Sequence, residues 1–161
     1  MRTRDELLNE VAQAGREHSD ATVLFHATVA DLLDLHPTDY KALGILVRKG
    51  PLSAGEIARE TGLATASVTN LIDRLERKGF VQRRPDPGDR RRIRVEPVHE
   101  RLAGADDIFA SSVRSLAELL DRYSDEELAV IADFLARNAA RLRDETQKLE
   151  TKRLQTRRLT R

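Results

Sequence analysis

The chain has 161 residues, which is enough for one domain or for two small lobes that share a core. Aromatic residues make up 4% of it and there is no tryptophan, so the core must consist mainly of Leu, Val, Ile and Ala, and such a core is usually helical. Because there is no cysteine, disulfides, thiolate catalysis and cysteine-ligated zinc are excluded, and the composition fits a reducing cytoplasm. No apolar run reaches the length of a signal peptide or a membrane span, so we expect a cytoplasmic protein with no membrane partner.

Positive charge is concentrated in the middle of the chain. Residues 74–94 hold nine Lys and Arg against three acids, so the total net charge of +1 divides into +6 over these 21 residues and −5 over the other 140. The stretch Arg83–Pro97, RRPDPGDRRRIRVEP, alone holds six arginines. Such a local basic field in a nearly neutral protein indicates an anionic partner.

The first part of the chain has the hydrophobic spacing of helices. Apolar residues three and four positions apart predict one long helix over residues 5–35. Pro37 ends it, and a second helix is predicted from Asp39 to about Lys49, with Thr38 as its N-cap. The predicted buried stripe of the first helix is Leu7, Val11, Ala14, His18, Thr22, Phe25, Val29 and Leu32.

Two short helices follow, separated by a tight turn. Ser53 and Glu56 have capping-box spacing, which predicts the start of a helix over residues 54–61. The next helix is predicted over residues 65–78, with Thr65 as its N-cap. This arrangement is typical of a helix-turn-helix, whose second helix lies in the DNA major groove.

The spacing then changes to the period of two that is typical of strands. Residues 80–84 and 92–96 alternate, and Pro85, Pro87 and Gly88 between them are turn formers. We therefore predict a β-hairpin that carries arginines on its tip and its outer face.

The last third of the chain is predicted to be helical. Helical spacing resumes over residues 100–120, and Ser124 and Glu127 form a second capping box ahead of a last helix over about 128–149. The basic tail, residues 153–161, has few apolar anchors and is expected to be disordered.

The second short helix offers its N-terminal residues as candidates for reading base edges. Ser and Thr hydroxyls reach base edges or phosphates, and Asn70 can pair with adenine through two hydrogen bonds. The predicted DNA-binding residues of the two short helices are Ser53, Thr65, Ala66, Ser67, Thr69, Asn70 and Arg74.

The hairpin arginines are candidates for the minor groove and for phosphates. An arginine on a rigid hairpin can enter the narrow minor groove beside the reading helix, where the potential is most negative. Asp86 and Asp89 would repel DNA, so we expect them to pair with neighbouring arginines and to fix the shape of the hairpin. The predicted DNA-binding residues of the hairpin are Arg83, Arg84, Arg90, Arg91 and Arg92, with Arg94 as a further strand arginine.

Two stretches carry a resemblance to a known family. Residues Ser67 to Val81 (SVTNLIDRLERKGFV) and Asp86 to Arg91 (DPGDRR) together resemble the winged helix-turn-helix core of the MarR family of bacterial transcription regulators. The resemblance is specific over about Leu35–Val95, and outside it only the helical layout agrees.

The resemblance implies a mainly α fold with a small β-hairpin wing. A winged helix-turn-helix DNA-binding lobe, residues 37–99, would join a helical dimerisation region formed by residues 1–36 and 100–152. The protein would be a homodimer that binds an inverted-repeat operator in double-stranded DNA. Arg91 matches the family's minor-groove contact, and Asp89 matches the aspartate that holds the wing by a salt bridge.

The resemblance also raises the question of an effector. Many relatives bind small aromatic or phenolic ligands in a cleft between the dimerisation region and the DNA-binding lobe. The residues that could line such a cleft, and that fit a plain core equally well, are Phe25, His26, Tyr40, Phe109 and Val113.

The sequence thus predicts a ligand-responsive repressor, in which an effector changes the separation of the two DNA-binding lobes. A winged-helix module that docks on protein and a metal-responsive regulator are the alternatives. The four histidines, His18, His26, His36 and His99, do not have local metal-binding spacing. We find no nucleophile–base spacing, phosphate loop or metal motif, so we expect neither an enzyme nor a cofactor.

Overall fold

The computed structural model of the chain describes residues 2–103 and 106–159. They form the predicted mainly α fold with a β-hairpin. The chain divides into two compact units, Met1–Phe109 and Ala110–Arg161. The first unit contains the helix-turn-helix and the hairpin, which position the candidate site.

Helix α1 spans Arg4–Leu32. It begins with a capping box that the sequence analysis did not identify: the Thr3 hydroxyl accepts the Glu6 N–H at 3.2 Å, and the Glu6 carboxylate accepts the Thr3 N–H at 2.7 Å. The buried residues of this helix are Val29 and Ala30. The predicted stripe is otherwise largely exposed in the single chain, at Leu7, Val11, Phe25 and Leu32.

Helix α2 spans Pro37–Lys49, and its N-cap is His36 rather than the predicted Thr38. Proline suits the first helical position because its missing N–H would have no partner there and its φ is already helical. The capping acceptor therefore lies two residues upstream of the predicted one, where the His36 ring accepts the Thr38 N–H at 3.3 Å through Nδ1.

Helices α3 and α4 form the helix-turn-helix and span Ala54–Thr61 and Thr65–Arg77. The capping box of α3 is confirmed, since Ser53 and Glu56 exchange hydrogen bonds at 3.3 and 2.7 Å. The predicted cap of α4 is wrong, because Thr65 is already helical. Ala64 holds the extended N-cap backbone and has no side-chain acceptor to offer.

A tight turn connects α4 to the hairpin. The Phe80 N–H bonds to the Leu75 carbonyl at 3.0 Å and the Gly79 N–H bonds to the Glu76 carbonyl at 2.9 Å, which is the Schellman pattern. Gly79 supplies the left-handed backbone that this pattern needs, with φ of 75°. Phe80, directly after this turn, is buried in the core. The first strand begins at Val81, one residue later than predicted.

The wing is the antiparallel pair of strand β1, Val81–Pro85, and strand β2, Ile93–Pro97, with the turn between them. Arg83 lies opposite Val95 in the register. On its other side, Val95 exchanges both backbone hydrogen bonds with Leu52, at 3.0 and 2.7 Å. The base of the wing is thereby attached to the segment that precedes α3.

The core of the first unit lies where α2, α3, α4 and the wing meet. The largest fully buried side chains there include Phe80, Leu46, Ile57, Leu71 and Leu75. These are the apolar positions of the predicted helices, together with the residue that follows the Schellman turn.

The remaining helices are α5, His99–Ala103, α6, Asp106–Leu120, and α7, Asp125–Leu159. The second predicted capping box is confirmed, because Ser124 and Glu127 exchange hydrogen bonds at 2.9 and 3.3 Å. Helix α7 continues through residues 153–159, which the sequence analysis expected to be disordered, while residues 160 and 161 lie outside the described part of the chain.

A buried ion pair orients α4 on α2. The Asp39 side chain is 3% exposed, and its two oxygens accept hydrogen bonds from Arg74, from Nη2 at 2.6 Å and from Nε at 2.8 Å. A carboxylate can be buried at tolerable cost only if it is paired and hydrogen-bonded. The fork-to-fork geometry fixes both the distance and the rotation of α4 relative to α2.

We predict that Arg74→Met destabilises the protein by roughly 2 kcal/mol. Removing one partner of a fully buried pair costs about 3–5 kcal/mol, and the Arg74 side chain is 41% exposed, which lowers the cost. The measurement is urea unfolding followed by circular dichroism at a fixed protein concentration.

The matched control is Arg77→Met, which removes the same charge from an exposed position of the same helix. It should change the free energy of unfolding by less than about 0.5 kcal/mol. Equal losses in the two variants would show that the Asp39 pair does not orient α4.

Candidate nucleic-acid interface

The reading face is the exposed side of the first turns of α4. It consists of Thr65, Ala66, Ser67, Thr69 and Asn70, all of which are exposed. The opposite side of the same helix is buried in the core. The reading face is therefore a surface of small and hydrogen-bonding side chains held on a packed helix, which is the chemistry that base edges require.

The wing tip, residues 86–92, is organised by Asp86. Its Oδ1 accepts the N–H of Gly88 at 2.7 Å and that of Asp89 at 3.3 Å, while its Oδ2 accepts from Nε of Arg94. The backbone closes the turn with hydrogen bonds from Asp86 N–H to the Arg92 carbonyl and from Arg92 N–H to the Asp89 carbonyl, both 2.8 Å. One carboxylate thus fixes both the turn and a strand arginine.

These hydrogen bonds lower the pKa of the Asp86 carboxyl group. The Arg94 guanidinium, and after it the Gly88 N–H, hold the pKa of Asp86 below its ordinary value. Asp89 has a different set of partners: its Oδ1 accepts the Arg91 N–H at 3.1 Å, and its carboxylate lies 3.6 Å from Nε of Arg91 and 3.5 Å from Nε of Arg92.

The arginines of the predicted site fall into two groups. Those of the wing tip extend into solvent: Arg90 is exposed, and the side chains of Arg91 and Arg92 are 97% and 78% exposed. Arg84 is also exposed and has one loose contact, from its Nε to Glu96 at 3.4 Å. These four guanidinium groups lie where a polyanion can reach them.

The other two predicted basic residues, Arg74 and Arg83, bond to acidic side chains of the protein. Arg74 holds Asp39, and the guanidinium of Arg83 contacts Glu76 and lies 2.5 Å from Oδ1 of Asp73. The Ser53 hydroxyl is likewise engaged, since it donates to Glu56 at 2.7 Å and accepts the Glu56 N–H at 3.3 Å. The polar groups of Arg74, Arg83 and Ser53 thus all bond to acidic side chains of the protein.

The carboxylates that hold these arginines were not predicted from the sequence. Asp39 is 35 residues from Arg74, and Asp73 is 10 residues from Arg83, across the Schellman turn. Hydrophobic spacing indicates which side of an element is buried, but it does not indicate which charged groups meet. The one available signal was the presence of acids on α4 ahead of an arginine-rich hairpin.

Three of the residues predicted to line an effector cleft lie close together. The rings of Phe25 and His26 have centroids 5.9 Å apart, and those of His26 and Tyr40 are 5.6 Å apart in an edge-to-face arrangement. Burial raises the pKa of Tyr40 above its ordinary value. Phe109 is half-buried in the first unit, whereas Val113 belongs to the second unit and is 65% exposed.

Two further features concern residues 2–103 and 106–159, namely metal-ligand clusters and membrane-spanning helices. Within those ranges, no group of three or more His, Asp or Glu side chains is close enough to hold a metal ion. No helix in the described part of the chain is long and apolar enough to cross a bilayer.

We predict that Asp86→Asn lowers stability at neutral pH and that its effect disappears in acid. The folded-state pKa of Asp86 is lowered, so the carboxylate stabilises the fold above its unfolded pKa of about 3.9, and this contribution is lost as the pH falls through the folded value. Urea unfolding from pH 7 to pH 3 should therefore show a difference between variant and wild type that shrinks below about pH 4.

The control for this measurement is Asp133→Asn, which removes a surface carboxylate paired with Arg137 at 2.8 Å on α7. Exposed pairs of this kind contribute little to stability, so this variant should follow wild type across the range. A pH-independent difference for Asp86→Asn would mean that its effect does not come from the charge.

Comparison with known proteins agrees with this geometry. Residues 33–92 match the MarR family model. The chain is 40% identical over 148 residues to YcgE of Bacillus subtilis, named as an uncharacterized HTH-type transcriptional regulator, and the match covers 92% of this chain and 96% of YcgE. It is 32% identical over 98 residues to the HTH-type transcriptional repressor NicR of Pseudomonas putida, which covers 61% of each.

Solved structures share the fold. A MarR family protein from Bacillus stearothermophilus superposes with a TM-score of 0.65 at 23% identity, over 88% of this chain and 99% of that one. MepR of S. aureus, in its DNA-binding conformation, gives 0.62 at 20% identity, over 82% and 98%. YcgE and NicR are both named as HTH-type transcription regulators, and the likeness to YcgE extends over nearly the whole of both chains. The chain therefore belongs to the MarR family of winged helix-turn-helix transcription regulators.

Proposed function

We propose that this regulator binds a pseudo-palindromic operator as a homodimer and represses transcription. The observation that supports the DNA-binding surface best is the pairing of an exposed, hydrogen-bonding reading face on α4 with a wing tip of exposed arginines. Members of the family bind DNA and act as dimers, which supports the same assignment.

In this proposal the reading face enters the major groove. Asn70 donates and accepts at adenine, and the hydroxyls of Ser67 and Thr69 bond to base edges or phosphates. Ala66 leaves room for a close approach. Each half-site is then read by one α4, and the half-site centres lie about 34–36 Å apart on one side of the duplex.

The wing tip supplies the minor-groove and phosphate contacts. Arg91, with its side chain 97% exposed, is the residue we assign to the minor groove, and Arg84, Arg90 and Arg92 contact phosphates. We leave Ser53, Arg74 and Arg83 out of the contact set because their polar groups bond to acids of the protein.

Exposed apolar side chains support the homodimer. On α1 they include Leu8, Val23 and Leu24, and on α6 and α7 they include Val113, Leu116, Val130, Phe134 and Leu142. A monomer that exposed these side chains to water would tend to associate through them. We assign residues 1–36 and 100–152 to the dimerisation region, and residues 37–99 to the DNA-binding lobe.

Repression and an effector complete the proposal. NicR and the B. subtilis protein YetL, 34% identical over 76 residues, are both described as transcriptional repressors, which supports that sign of regulation. The aromatic contact of Phe25, His26 and Tyr40 fits a small aromatic or phenolic effector that would change the separation of the two lobes. A cytoplasmic location is part of the same proposal, because a regulator acts where the chromosome lies.

We predict a solution mass of twice the chain mass of 18.2 kDa. Sedimentation equilibrium at micromolar concentration measures it without DNA. A mass of one chain at that concentration would remove the two-fold symmetry on which the palindromic operator depends.

We predict that a random-sequence duplex library yields an inverted repeat, and that Arg91→Ala weakens binding to this selected operator about tenfold or more, on the scale of a lost groove contact. Fluorescence anisotropy over a range of salt concentrations measures the affinity. Wild-type affinity should fall steeply with salt, because arginine–phosphate contacts release counterions.

The matched control is Arg48→Ala, which removes an equal charge from an exposed position of α2, outside both the proposed contact set and the proposed dimerisation region. It should bind like wild type. If wild type enriches no sequence and binds no duplex at low salt, the protein-docking alternative replaces the DNA-binding proposal.

A further inference from the structure

The wing and α4 are attached to each other by Arg83. Its guanidinium contacts Oε2 of Glu76 through Nη1, and its Nη2 lies 2.5 Å from Oδ1 of Asp73. Its backbone N–H donates to Oε1 of Glu76 at 3.1 Å. Both the backbone and the side chain of one wing residue are therefore held by two carboxylates of α4.

The backbone contact follows from the strand register. Val95 directs its N–H and carbonyl to Leu52, so the opposite residue, Arg83, is in a non-hydrogen-bonded pair and its N–H points away from β2. Glu76 satisfies that N–H, which would otherwise be an open donor on the outer edge of β1.

The side-chain contact reaches the surface that faces DNA. Asp73 is exposed and lies three residues after Asn70 and seven after Ala66, so it shares their side of the helix. Arg83 is the middle residue of β1, the strand that leads to the wing tip. The contact therefore joins the base-reading side of α4 to the element that carries Arg91.

The electrostatics disfavour a direct role for Arg83 on DNA. One guanidinium with two carboxylates gives a cluster of net charge −1, which does not attract a phosphate. The side chain is 33% exposed, compared with 97% for Arg91. A phosphate contact would require Arg83 to leave both acids and to uncover their charges beside the DNA.

We propose that Arg83 is a positioning residue for operator recognition, held by Glu76 and Asp73 so that the reading face and Arg91 reach adjacent grooves together. This rests on the proposed DNA-binding function. The minor groove is about 6 Å wide, so a wing that pivots on the turn at Gly79 would misplace Arg91 even with α4 correctly seated. The acids of α4 thereby contribute to specific binding, although their charges repel DNA.

The test uses the sign of the effect of Glu76→Gln. Removing a negative charge near DNA should tighten binding if the charge acts only through its field. If Glu76 positions the wing, the same isosteric change should weaken binding to the selected operator about five- to tenfold, while binding to unrelated duplex stays the same or becomes tighter. The ratio of operator to non-operator affinity, measured by anisotropy on the full-length protein, should therefore fall.

Three further variants complete the design. Arg83→Gln should weaken operator binding by a similar factor, and the slope of affinity against salt concentration should not become shallower. The double variant Arg83→Gln with Glu76→Gln should bind no more weakly than either single variant, because both changes remove the same contact. Glu60→Gln is the matched control: it breaks a pair with Lys49, 2.6 Å long, on α3 of the same lobe, and should keep the wild-type ratio.

Folding is checked by thermal unfolding of each variant. If Glu76→Gln does not fold, Asp73→Asn carries the test, because that side chain is 47% exposed and its loss leaves the core intact. Tighter operator binding by either acid variant would overturn the proposal. A salt slope lowered by about 0.9 in Arg83→Gln would also overturn it, because a slope change of that size corresponds to one lost phosphate contact and would make Arg83 a phosphate ligand. Failure of the DNA-binding function itself is distinct, since wild type would then bind no duplex.

Discussion

The geometry of the DNA-binding lobe depends on the pair of Asp39 and Arg74. Apolar residues of the right total volume and pattern can pack in more than one arrangement at modest cost, and they lose uniqueness before they lose stability. A buried carboxylate has no such freedom, since any displacement that lengthens its two hydrogen bonds leaves it desolvated and poorly paired. The pair thus converts a hydrophobic interface between α2 and α4 into one with a single register.

Arginine–carboxylate contacts also attach the elements that lie farther from this pair. Arg74 attaches α4 to α2, Arg83 attaches the wing to α4, and Arg94 attaches the tip to its own strand through Asp86. Beyond these three guanidinium groups, the arginines of the tip are exposed. A basic cluster that looks uniform in the sequence therefore divides by depth: the inner members bond to protein acids, and the outer members extend into solvent.

Local patterns predicted the local structure well. The capping boxes at Ser53 and Ser124, the positions of α3 and α4, and the hairpin all follow from residues within a few positions of one another, so sequence spacing was enough. His36 was missed because a histidine is a rare N-cap and Thr38 offered a more usual one. Continuation of α7 through residues 153–159 was missed for a different reason. A shortage of apolar residues indicates where packing against a core stops, but a helix can continue beyond that point.

The candidate site was less predictable than the fold. The arginines were found by their density, but their division into structural and exposed members depends on contacts across 35 residues for Arg74 and across a turn for Arg83. Tertiary contacts of this kind leave no periodic trace. The reading face was predictable because amphipathicity fixes which side of α4 is exposed. The residue types on that side, and so their hydrogen-bonding groups, can then be read directly from the sequence.

The attachments at the base of the wing have a consequence for the behaviour of the protein in concentrated solution. A short hairpin ordinarily presents open backbone edges, to which a strand of another copy can add. Here Leu52 covers β2 at Val95, Glu76 takes the outward N–H of Arg83, and Pro85 at the end of β1 has no N–H to offer. A strand of another copy would therefore meet bonded or missing donors at these three positions, which disfavours strand addition to the wing there.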